Sequence, residues 1–436
     1  MLTLQLIPLV CVSVPQSPGG ALAQIQNVAV PSLGNLFGMS VATLDDLDGD
    51  HFPELVVGDP LQEPTDPRQP GDAWVLSGKK GNVLRRWEGD ASGDAFGDVV
   101  AAPGDLDGDG VPDVLVGAKP YSRTETRAGY IRAFSGKDGQ TLRTIRVPPP
   151  EGRVNVGLHL AISGLGDLDG DGCADFGYGT VHQGSDWLEP GTAHVLSGKS
   201  GKELFTWGPE KEVQWLGEQL CAFRDLNGDG VQEVIVLAGA ENGIQFRVDS
   251  GRTGELLREY KPAELRGGYV HPASMSLTPD LDGDGIEDLL VGKVRADTAT
   301  VHAISGRTGA WIRSWKQRST WHTVVCGVGD VNRDAIPDLL VTDPETSYDV
   351  SSVWILRGNK DERIWEWHTG PPTSSAFGVS ACVLGDRDGD GVKDVAVGEA
   401  TWRGAGSFDG SVRIFSARTG ELIDKWGRPA VEPRFR

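Results

Sequence analysis

A nine-residue pattern occurs seven times along the chain, and no other feature of the sequence restricts the possible folds as strongly. The pattern is Asp-x-Asp/Asn-Gly-Asp-Gly-apolar-x-Asp/Glu, with some glycines replaced in individual copies. Each copy continues directly into an apolar stretch such as ELVVG or DVLVG. Because these stretches have no polar face, they indicate strands that are buried on both sides. We therefore expect seven similar β-rich units of about 50–60 residues each.

A second periodic feature follows each copy and has the form of a β-hairpin. WVLSGKKGNVLRRW is the first example, in which two strand-like runs flank a glycine-bearing turn. The content of 60 glycines and 26 prolines suits many short strands joined by turns. Each hairpin ends in a bulky residue that we interpret as packing within the fold: Trp87, Ile145, Trp207, Tyr260, Trp315, Trp367 and Trp426.

Together these features predict an all-β, seven-bladed β-propeller. Four strands per unit and seven units match the arithmetic of sheets arranged radially around an axis. A linear array needs polar capping repeats at its ends, but the first and last repeats here are as apolar as the middle ones. A closed ring is therefore favoured. Whether it closes by lending residues 24–36 to the seventh blade stays open at this point.

Two short motifs flank the acidic pattern and carry a family resemblance. Phe-Gly pairs precede it at residues 37–38, 96–97 and 377–378, and segments such as Gly58-Asp59-Pro60 and Gly117-Ala118-Lys119-Pro120 follow it. The repeats resemble the FG-GAP repeats of integrin α-subunit head domains and their VCBS-type bacterial relatives. The resemblance covers residues 37 to about 427 and implies a propeller with a calcium loop in each blade.

The chain divides into four predicted segments. These are a signal peptide at 1–23, a lead-in strand or linker at 24–36, the propeller at 37–427 and a tail at 428–436. The signal-peptide prediction rests on the apolar run MLTLQLIPLVCVSV followed by Ala21-Leu22-Ala23, although this segment has no Lys or Arg. We expect a secreted, cell-surface or periplasmic protein. No other segment of the sequence is long and apolar enough to span a membrane.

The acidic pattern has the chemistry of a calcium loop. Calcium takes six to eight oxygen ligands at about 2.3–2.6 Å, and Asp side chains spaced by two in a tight turn can converge on it. The apolar position 7 would contribute its backbone carbonyl, and the carboxylate at position 9 would close the shell. Oxygen ligands alone argue against zinc or copper. Positions 1, 3, 5 and 9 of the loops hold 26 of the 62 acidic residues, and such clusters repel themselves without a cation.

Up to seven calcium ions are predicted, one per loop, and the ligands fall into five positions. Position 1 is Asp46, Asp105, Asp167, Asp225, Asp280, Asp330 and Asp386. Position 3 is Asp48, Asp107, Asp169, Asn227, Asp282, Asn332 and Asp388. Position 5 is Asp50, Asp109, Asp171, Asp229, Asp284, Asp334 and Asp390. Position 7 is Phe52, Val111, Cys173, Val231, Ile286, Ile336 and Val392. Position 9 is Glu54, Asp113, Asp175, Glu233, Asp288, Asp338 and Asp394.

The seven loops, numbered one to seven in chain order, are not expected to bind calcium equally. Loop six, which begins at Asp330, has lost both glycines and carries Arg333, so it should be the weakest. Loop four, with Asn227 and Glu233, and loop one, with His51 at position 6, should be intermediate. Loops two, three, five and seven are intact.

Three cysteines occupy one equivalent position on different repeats, four residues before the first loop Asp: Cys221, Cys326 and Cys382. This position is expected in the innermost strand. Disulfides between equivalent positions of separate blades are unfavourable, because bridged Cα atoms must lie within about 7 Å. These three residues and Cys173 are therefore predicted to be buried free thiols.

The net charge of −21 disfavours nucleic acids and anionic membranes as partners. The sequence contains no Gly-x-Ser-x-Gly, no His-Glu-x-x-His and no phosphate-binding glycine loop. We therefore expect a non-enzymatic, adhesion-like scaffold, a monomeric ring that binds a protein or a polysaccharide. One alternative is a calcium-dependent carbohydrate-active enzyme, a lyase or hydrolase, on the same fold. Another is a component of a larger surface assembly that has no ligand of its own.

The loops outside the acidic pattern vary in length and composition, as binding loops do. In integrins the calcium loops lie on the face opposite the ligand-binding surface, and the resemblance implies the same arrangement here. Aromatic side chains beside Arg could recognise a sugar or an acidic segment. The candidate ligand-face residues are Tyr121, Arg123, Arg127, His182, Trp187, Tyr348, Trp402, Arg403 and Phe408.

Overall fold

The chain was analysed as a computed structural model. It describes residues 36–60, 70–91, 93–119, 128–148, 157–183, 191–208, 215–240, 243–266, 271–295, 298–318, 323–344, 350–369, 375–401 and 410–430. The predicted signal peptide and almost all of the predicted lead-in, residues 24–35, lie outside these ranges. Among the residues described, no helix has the length and apolar composition that crossing a membrane requires.

The described residues form 28 strands and a short 3-10 helix, Ala263–Leu265. Blade one is β1 (Ser40–Leu44), β2 (Glu54–Asp59), β3 (Asp72–Leu76) and β4 (Val83–Glu88). Blade two is β5 (Phe96–Gly104), β6 (Asp113–Ala118), β7 (Gly129–Phe134) and β8 (Thr141–Val147). Blade three is β9 (Gly157–Gly166), β10 (Asp175–Gln183), β11 (Thr192–Leu196) and β12 (Glu203–Trp207). Blade four is β13 (Leu220–Phe223), β14 (Glu233–Ala240), β15 (Gly243–Asp249) and β16 (Leu256–Tyr260).

The remaining three blades follow the same plan. Blade five is β17 (His271–Thr278), β18 (Asp288–Arg295), β19 (Thr298–Ile304) and β20 (Trp311–Arg318). Blade six is β21 (Val325–Gly329), β22 (Asp338–Asp343), β23 (Ser352–Leu356) and β24 (Arg363–His368). Blade seven is β25 (Ser375–Val383), β26 (Val395–Thr401), β27 (Ser411–Phe415) and β28 (Leu422–Gly427).

Each blade is an antiparallel four-stranded sheet whose strands pair in chain order, which confirms the predicted seven-bladed propeller. The first strand of each blade lies near the axis, because β1 contacts both β5 and β25, and β5 contacts β9. The second strands come from the apolar runs of the sequence, and β2 and β6 are buried at every position. The fourth strands are half exposed, as expected for the outer edge of a propeller blade.

The Phe-Gly motif packs one blade onto the next. Gly58 of blade one lies so close to the carbonyl of Gly97 in blade two that a Cβ on Gly58 would be 1.9 Å from that oxygen. Gly398 of blade seven lies in the same way against Gly38 of blade one, where the distance would be 2.0 Å. The hydroxyl of Ser380 also donates a hydrogen bond to the carbonyl of Gly38 at 2.8 Å. The contact that joins neighbouring blades therefore also joins the last blade to the first.

This contact answers the question of ring closure for the described residues. Blade seven supplies all four of its own strands, β25 to β28, and its sheet contains no strand from another described segment. The hydroxyl of Thr43 in β1 donates to the carbonyl of Val383 in β25 at 2.7 Å, which adds a second link across the junction. In the part of the chain that the structure describes, the ring closes by packing rather than by strand exchange.

The cysteine prediction is correct in position and partly correct in chemistry. Cys221, Cys326 and Cys382 lie in the first strands β13, β21 and β25, as expected. Cys173, Cys221 and Cys382 are free thiols. The prediction is wrong for Cys326, which is disulfide-bonded. The geometric argument excluded pairing only between equivalent blade positions.

Candidate metal sites

Each acidic loop connects the first strand of its blade to the second. In six blades the carboxylate at position 9 is the first residue of the second strand, and in blade seven Asp394 directly precedes β26. Position 7 turns its side chain toward the blade, as predicted, and is buried in five loops: Phe52, Cys173, Val231, Ile286 and Val392. The apolar and acidic ends of the pattern thus anchor the loop, and positions 1, 3 and 5 form its tip.

Backbone amides orient the carboxylates at the tip of each loop, as loop two illustrates. Asp105 accepts hydrogen bonds from the amides of Gly108 and Gly110, both at 2.7 Å. Asp107 accepts from the amide of Asp109 at 3.1 Å, and Asp109 accepts from that of Val111 at 2.9 Å. These bonds wrap the turn around its own carboxylates. The remaining lone pairs of those carboxylates stay available to a ligand.

The carboxylates converge in five of the loops, where one oxygen from each of three residues lies within 4.8 Å of the others. Two ligands on opposite sides of a calcium ion are about 5 Å apart, so this spacing fits calcium. The groups are Asp46, Asp48 and Asp50; Asp105, Asp107 and Asp113; Asp167, Asp169 and Asp175; Asp280, Asp282 and Asp288; and Asp386, Asp388 and Asp394. Loops four and six, which have Asn at position 3, are not among these five.

The carboxylate at position 9 is fully buried in every loop. In loop two Asp113 accepts from the amide of Leu106 at 2.7 Å and from that of Gly136 at 3.0 Å. Burial nevertheless raises the pKa of Asp113 to about 6, because desolvation of the charged form outweighs these hydrogen bonds. Burial also raises the pKa of Asp175, Asp288 and Asp338 to about 6, and that of Glu54 and Asp394 to about 7. A cation in the loop would favour the ionised form of every one.

The turn between the third and fourth strands supplies a donor that sequence reasoning missed. In six blades a glycine just after the third strand donates its amide to the position 9 carboxylate at 2.7–3.2 Å. These turn glycines are Gly78, Gly136, Gly198, Gly251, Gly306 and Gly358. A Cβ at any of them would lie 1.7–2.0 Å from the carbonyl oxygen of loop position 8. The repeated Ser-Gly-Lys/Arg run of the hairpins was the sequence signal for this contact.

Blade seven shows what happens when the turn glycine is replaced. Ala417 occupies this position, and within the described residues the buried Oδ1 of Asp394 has no hydrogen-bond partner. Asp394 keeps only the amide of Arg387 at 2.7 Å. A buried carboxylate oxygen without a donor fits a metal ligand, because a cation would satisfy it.

The residue after the turn glycine places a cation over loop position 5. Lys199 donates to the carbonyl of Asp171 at 2.8 Å, and Arg307 donates to the carbonyl of Asp284 at 2.8 Å. Lys79, Arg252 and Arg418 make the same contact, and Lys137 lies 3.5 Å from the Oδ2 of Asp109. These side chains connect position 5 of a loop to its own hairpin, and in six blades the amide of the turn glycine connects position 9 as well.

Loops four and six both carry Asn at position 3, but the two side chains point differently. In loop four the Oδ1 of Asn227 accepts from the amide of Asp229 at 2.8 Å, as an Asp does in the intact loops. In loop six the Nδ2 of Asn332 donates to both carboxylate oxygens of Asp338, at 3.1 and 2.9 Å. Loop four thus keeps the oxygen arrangement of a calcium loop, whereas loop six does not.

The predicted ligand-face residues cannot be placed. Eight of them lie outside the described residues: Tyr121, Arg123, Arg127, Trp187, Tyr348, Trp402, Arg403 and Phe408. The backbone of His182 lies near the end of β10, but its side chain is likewise not described. These residues stay predictions.

A central cavity of about 900 Å³ lies on the axis of the ring. Its lining comes from all seven blades, at the ends of the first strands just before the acidic loops. Two charge pairs belong to this lining. Arg224 donates to the carbonyl of Gly285 at 2.8 Å and lies 3.9 Å from Glu287. Burial lowers the pKa of Lys393, and the nearby carboxylate of Asp45 raises it.

Comparison with known proteins supports the repeat family. A family model described as FG-GAP-like repeat matches residues 46–116 and 330–397. Integrin alpha-2 of Mus musculus is 30% identical over 216 residues, which are 46% of this chain and 17% of integrin alpha-2. The chain therefore spans less than a fifth of the length of this relative.

Two solved structures align over most of the chain at low identity. The Dos1 propeller has a TM-score of 0.49 and 13% identity, and the alignment covers 91% of this chain and 85% of that one. The exotype rhamnogalacturonan lyase YesX has a TM-score of 0.43 and 14% identity, with 90% and 75% covered. The chain is therefore a seven-bladed β-propeller that contains FG-GAP-like repeats at residues 46–116 and 330–397.

Proposed function

We propose that the chain is an extracellular calcium-binding scaffold that binds a protein or a polysaccharide and catalyses no reaction. The proposal of calcium binding rests on the convergence of carboxylate oxygens within 4.8 Å in five loops. The donor set consists of oxygen atoms, which suits a hard cation such as calcium and not a soft transition metal. Calcium is proposed for loops one to five and for loop seven.

The proposed role of calcium is structural. Each loop tip is formed by carboxylates from one turn, and these would repel one another at neutral pH without a cation. In six blades the loop is also connected to its hairpin through the turn glycine, as Gly306 donates to Asp288 at 3.0 Å. A bound ion would therefore stabilise the loop and the hairpin of a blade together.

The proposed ligand-binding surface is the face opposite the calcium loops. In a four-stranded meander the loops between first and second strands share one face with the hairpin turns between third and fourth strands. The loops between second and third strands then lie on the other face. All five variable segments connect a second strand to a third strand: 60–72, 120–129, 180–191, 343–351 and 399–410.

The extracellular setting is supported by the sequence of residues 1–23 and by the likeness to integrin alpha-2. The net charge of −21 supports a partner other than nucleic acid or an anionic membrane.

A binding experiment tests this proposal. The purified chain is applied to arrays of polysaccharides and of extracellular proteins, with calcium and with a chelator. We expect binding that requires the variable loops, so that Trp187→Ala and Trp402→Ala weaken it at least about tenfold, as for aromatic hot spots. Arg252→Ala, on the calcium face, is the matched control and should leave binding unchanged.

Two results would contradict the proposal. Binding that survives both tryptophan substitutions but is lost in Arg252→Ala would move the binding surface to the calcium face. Cleavage of a polysaccharide on the array, detected as new reducing or unsaturated ends, would replace the scaffold by an enzyme.

A further inference from the structure

Loop six, residues 330–338, keeps the shape of the other loops without their glycines. Arg333 and Ala335 stand at positions 4 and 6 and have φ values of 61° and 68°. Asp330 still accepts from the amide of Ala335 at 2.8 Å, and Asp334 accepts from that of Ile336 at 3.0 Å. These φ values are strained for residues that have a Cβ. The loop shape is therefore maintained against a local cost, and other contacts must hold it.

The carboxylate at position 9 of loop six is already satisfied by N–H groups. Asp338 accepts two hydrogen bonds from the side-chain amide of Asn332, at 3.1 and 2.9 Å. It also accepts from the amides of Val331 and Gly358, both at 3.1 Å. An amide nitrogen cannot ligate calcium, so the side chain at position 3 repels the ion that its counterparts would bind.

The cation at position 5 of loop six comes from a different residue than in the other blades, where a Lys or Arg follows the turn glycine or, in blade seven, Ala417. Arg357 stands where six other blades have a serine, and its guanidinium lies 3.1 Å from the Oδ2 of Asp334. Asn359 follows the turn glycine here, and its side-chain amide donates to the same oxygen at 3.2 Å. Asp334 is thus held by two side chains of its own hairpin.

Arg333 turns away from its own loop toward the neighbouring one. Its guanidinium donates to the carbonyl of Asp390 in loop seven at 3.0 Å. Loop six therefore combines three carboxylates with two arginines, Arg333 and Arg357. Loop five, by contrast, combines four carboxylates at its ligand positions, and Glu287 at position 8, with Arg307 and Arg224, which leaves a larger negative charge for an ion to neutralise.

We propose that loop six binds no calcium and is closed by Arg357 and Asn332 in place of the ion. The inference rests on the proposed function, because it separates one loop from six that are proposed to bind calcium. It also gives Arg333 a second task, which is to link the metal-free loop to the calcium loop of the next blade.

Counting ions by native mass spectrometry of the full chain in calcium tests the inference. Asp330→Asn with Asp334→Asn should leave the number of bound ions unchanged. The matched change in loop five, Asp280→Asn with Asp284→Asn, should remove one ion per chain. Loss of one ion from the loop six variant would overturn the inference.

A gain-of-site variant makes the complementary test. Asn332→Asp, Arg333→Gly, Ala335→Gly and Arg357→Ser together rebuild loop six on the pattern of the intact loops. We expect one additional calcium per chain in this variant. An unchanged count in a folded variant would contradict the assignment of Arg357 and Asn332 as the groups that replace the ion.

A melting experiment in chelator separates this inference from the proposed function. Arg357→Ser alone should lower the Tm in chelator by about 2 °C or more, because Asp334 loses its counter-charge. Serine at this position is compatible with the other blades, so the change itself introduces no misfit. An unchanged Tm would overturn the inference, even if no loop of the unmodified chain bound calcium and the proposed function had failed.

Discussion

In six blades the turn glycine lies outside the acidic loop and donates a hydrogen bond to the carboxylate at position 9. At Gly306 the amide donates to Asp288 at 3.0 Å, and the Cα hydrogen faces the carbonyl of Glu287. Glycine is required because any side chain would collide with this carbonyl, not because of an unusual φ. Blade seven has Ala417 here and has lost the hydrogen bond to Asp394. The methyl group of an alanine at this position is thus associated with the loss of the hydrogen bond between hairpin and loop.

Substitution of a turn glycine should therefore be costly. In Gly306→Ala the new Cβ would lie 2.0 Å from the carbonyl oxygen of Glu287, so the hairpin must move and the bond to Asp288 is lost. A hydrogen bond to a charged group contributes about 1.5–3 kcal/mol, and we expect the free energy of unfolding to fall by about 2 kcal/mol. Urea denaturation in chelator measures this loss.

Gly427→Ala is the control for that experiment. A Cβ at Gly427 meets nothing within 4 Å, so this change should leave the free energy of unfolding nearly unchanged. Equal losses in the two variants would show that the close approach at Gly306 has no energetic weight.

The outermost strands connect neighbouring blades through their final aromatic residues. The indole N–H of Trp207 in β12 donates to the carbonyl of Gly254 in the hairpin of blade four, at 3.0 Å. Trp87, Trp315 and Trp367 make the same kind of bond to the following blade, and Tyr260 makes one through its hydroxyl. The bulky residue that the sequence predicts as packing is therefore also a hydrogen-bond donor between blades.

The hydrogen bond from the indole N–H should make Trp207 contribute more to the free energy of unfolding than Trp426 does. Trp207→Phe removes the bond to Gly254, whereas the indole N–H of Trp426 has no acceptor within the described residues. Both changes remove a similar apolar area from buried positions. We expect Trp207→Phe to lower the free energy of unfolding by about 1 kcal/mol more than Trp426→Phe does. Denaturant titrations of the two variants measure the difference, and equal losses would reduce the aromatic residues to packing alone.

The sequence predicted the elements well because each of them is repeated in phase. Seven copies of one pattern identified the strands, the loops and the closing aromatic residues, as at Trp315. It could not distinguish Asn227 from Asn332, since the same side chain accepts a hydrogen bond in one loop and donates in the other. Arg357, which pairs with Asp334 of loop six at 3.1 Å, also lies outside the nine-residue pattern.

At the scale of the whole molecule, the junction between blades seven and one is held by buried charges as well as by glycine contacts. Arg428, just after β28, lies 2.6 Å from Asp59 and 2.7 Å from Asp72 of blade one. Asp59 is fully buried, and burial raises its pKa to about 6 although Arg428 lowers it. The sequence placed this arginine in a tail, because one residue outside the repeats has no period to reveal its role.

Removal of this arginine should open the junction in a pH-dependent way. Arg428→Gln leaves Asp59 buried without its counter-charge, and breaking a buried pair costs about 3–5 kcal/mol. Because the folded-state pKa of Asp59 is raised above its unfolded value, the folded state favours the protonated form, and stability falls as pH rises through about 6. The loss in Arg428→Gln should therefore be larger at pH 7 than at pH 5, where Asp59 takes up a proton.

Urea denaturation at both values of pH measures this prediction. Arg86→Gln is the control, because Arg86 also pairs with Asp72, at 2.8 Å, but makes no ion pair with Asp59. It should show a smaller loss and little difference between the two values of pH. A loss in Arg428→Gln that is independent of pH would contradict the role given to Asp59.

The central claim is that calcium in the acidic loops holds this ring together, and a thermal melt of the chain in calcium, in magnesium and in chelator tests it most directly. Bound metal is counted on the same samples by mass spectrometry. The account predicts a large rise in Tm that calcium produces and magnesium does not, with about six calcium ions per chain, as linkage between binding and folding requires. An unchanged Tm together with no bound calcium would contradict it, and the acidic loops would then be turns closed by their own backbone hydrogen bonds.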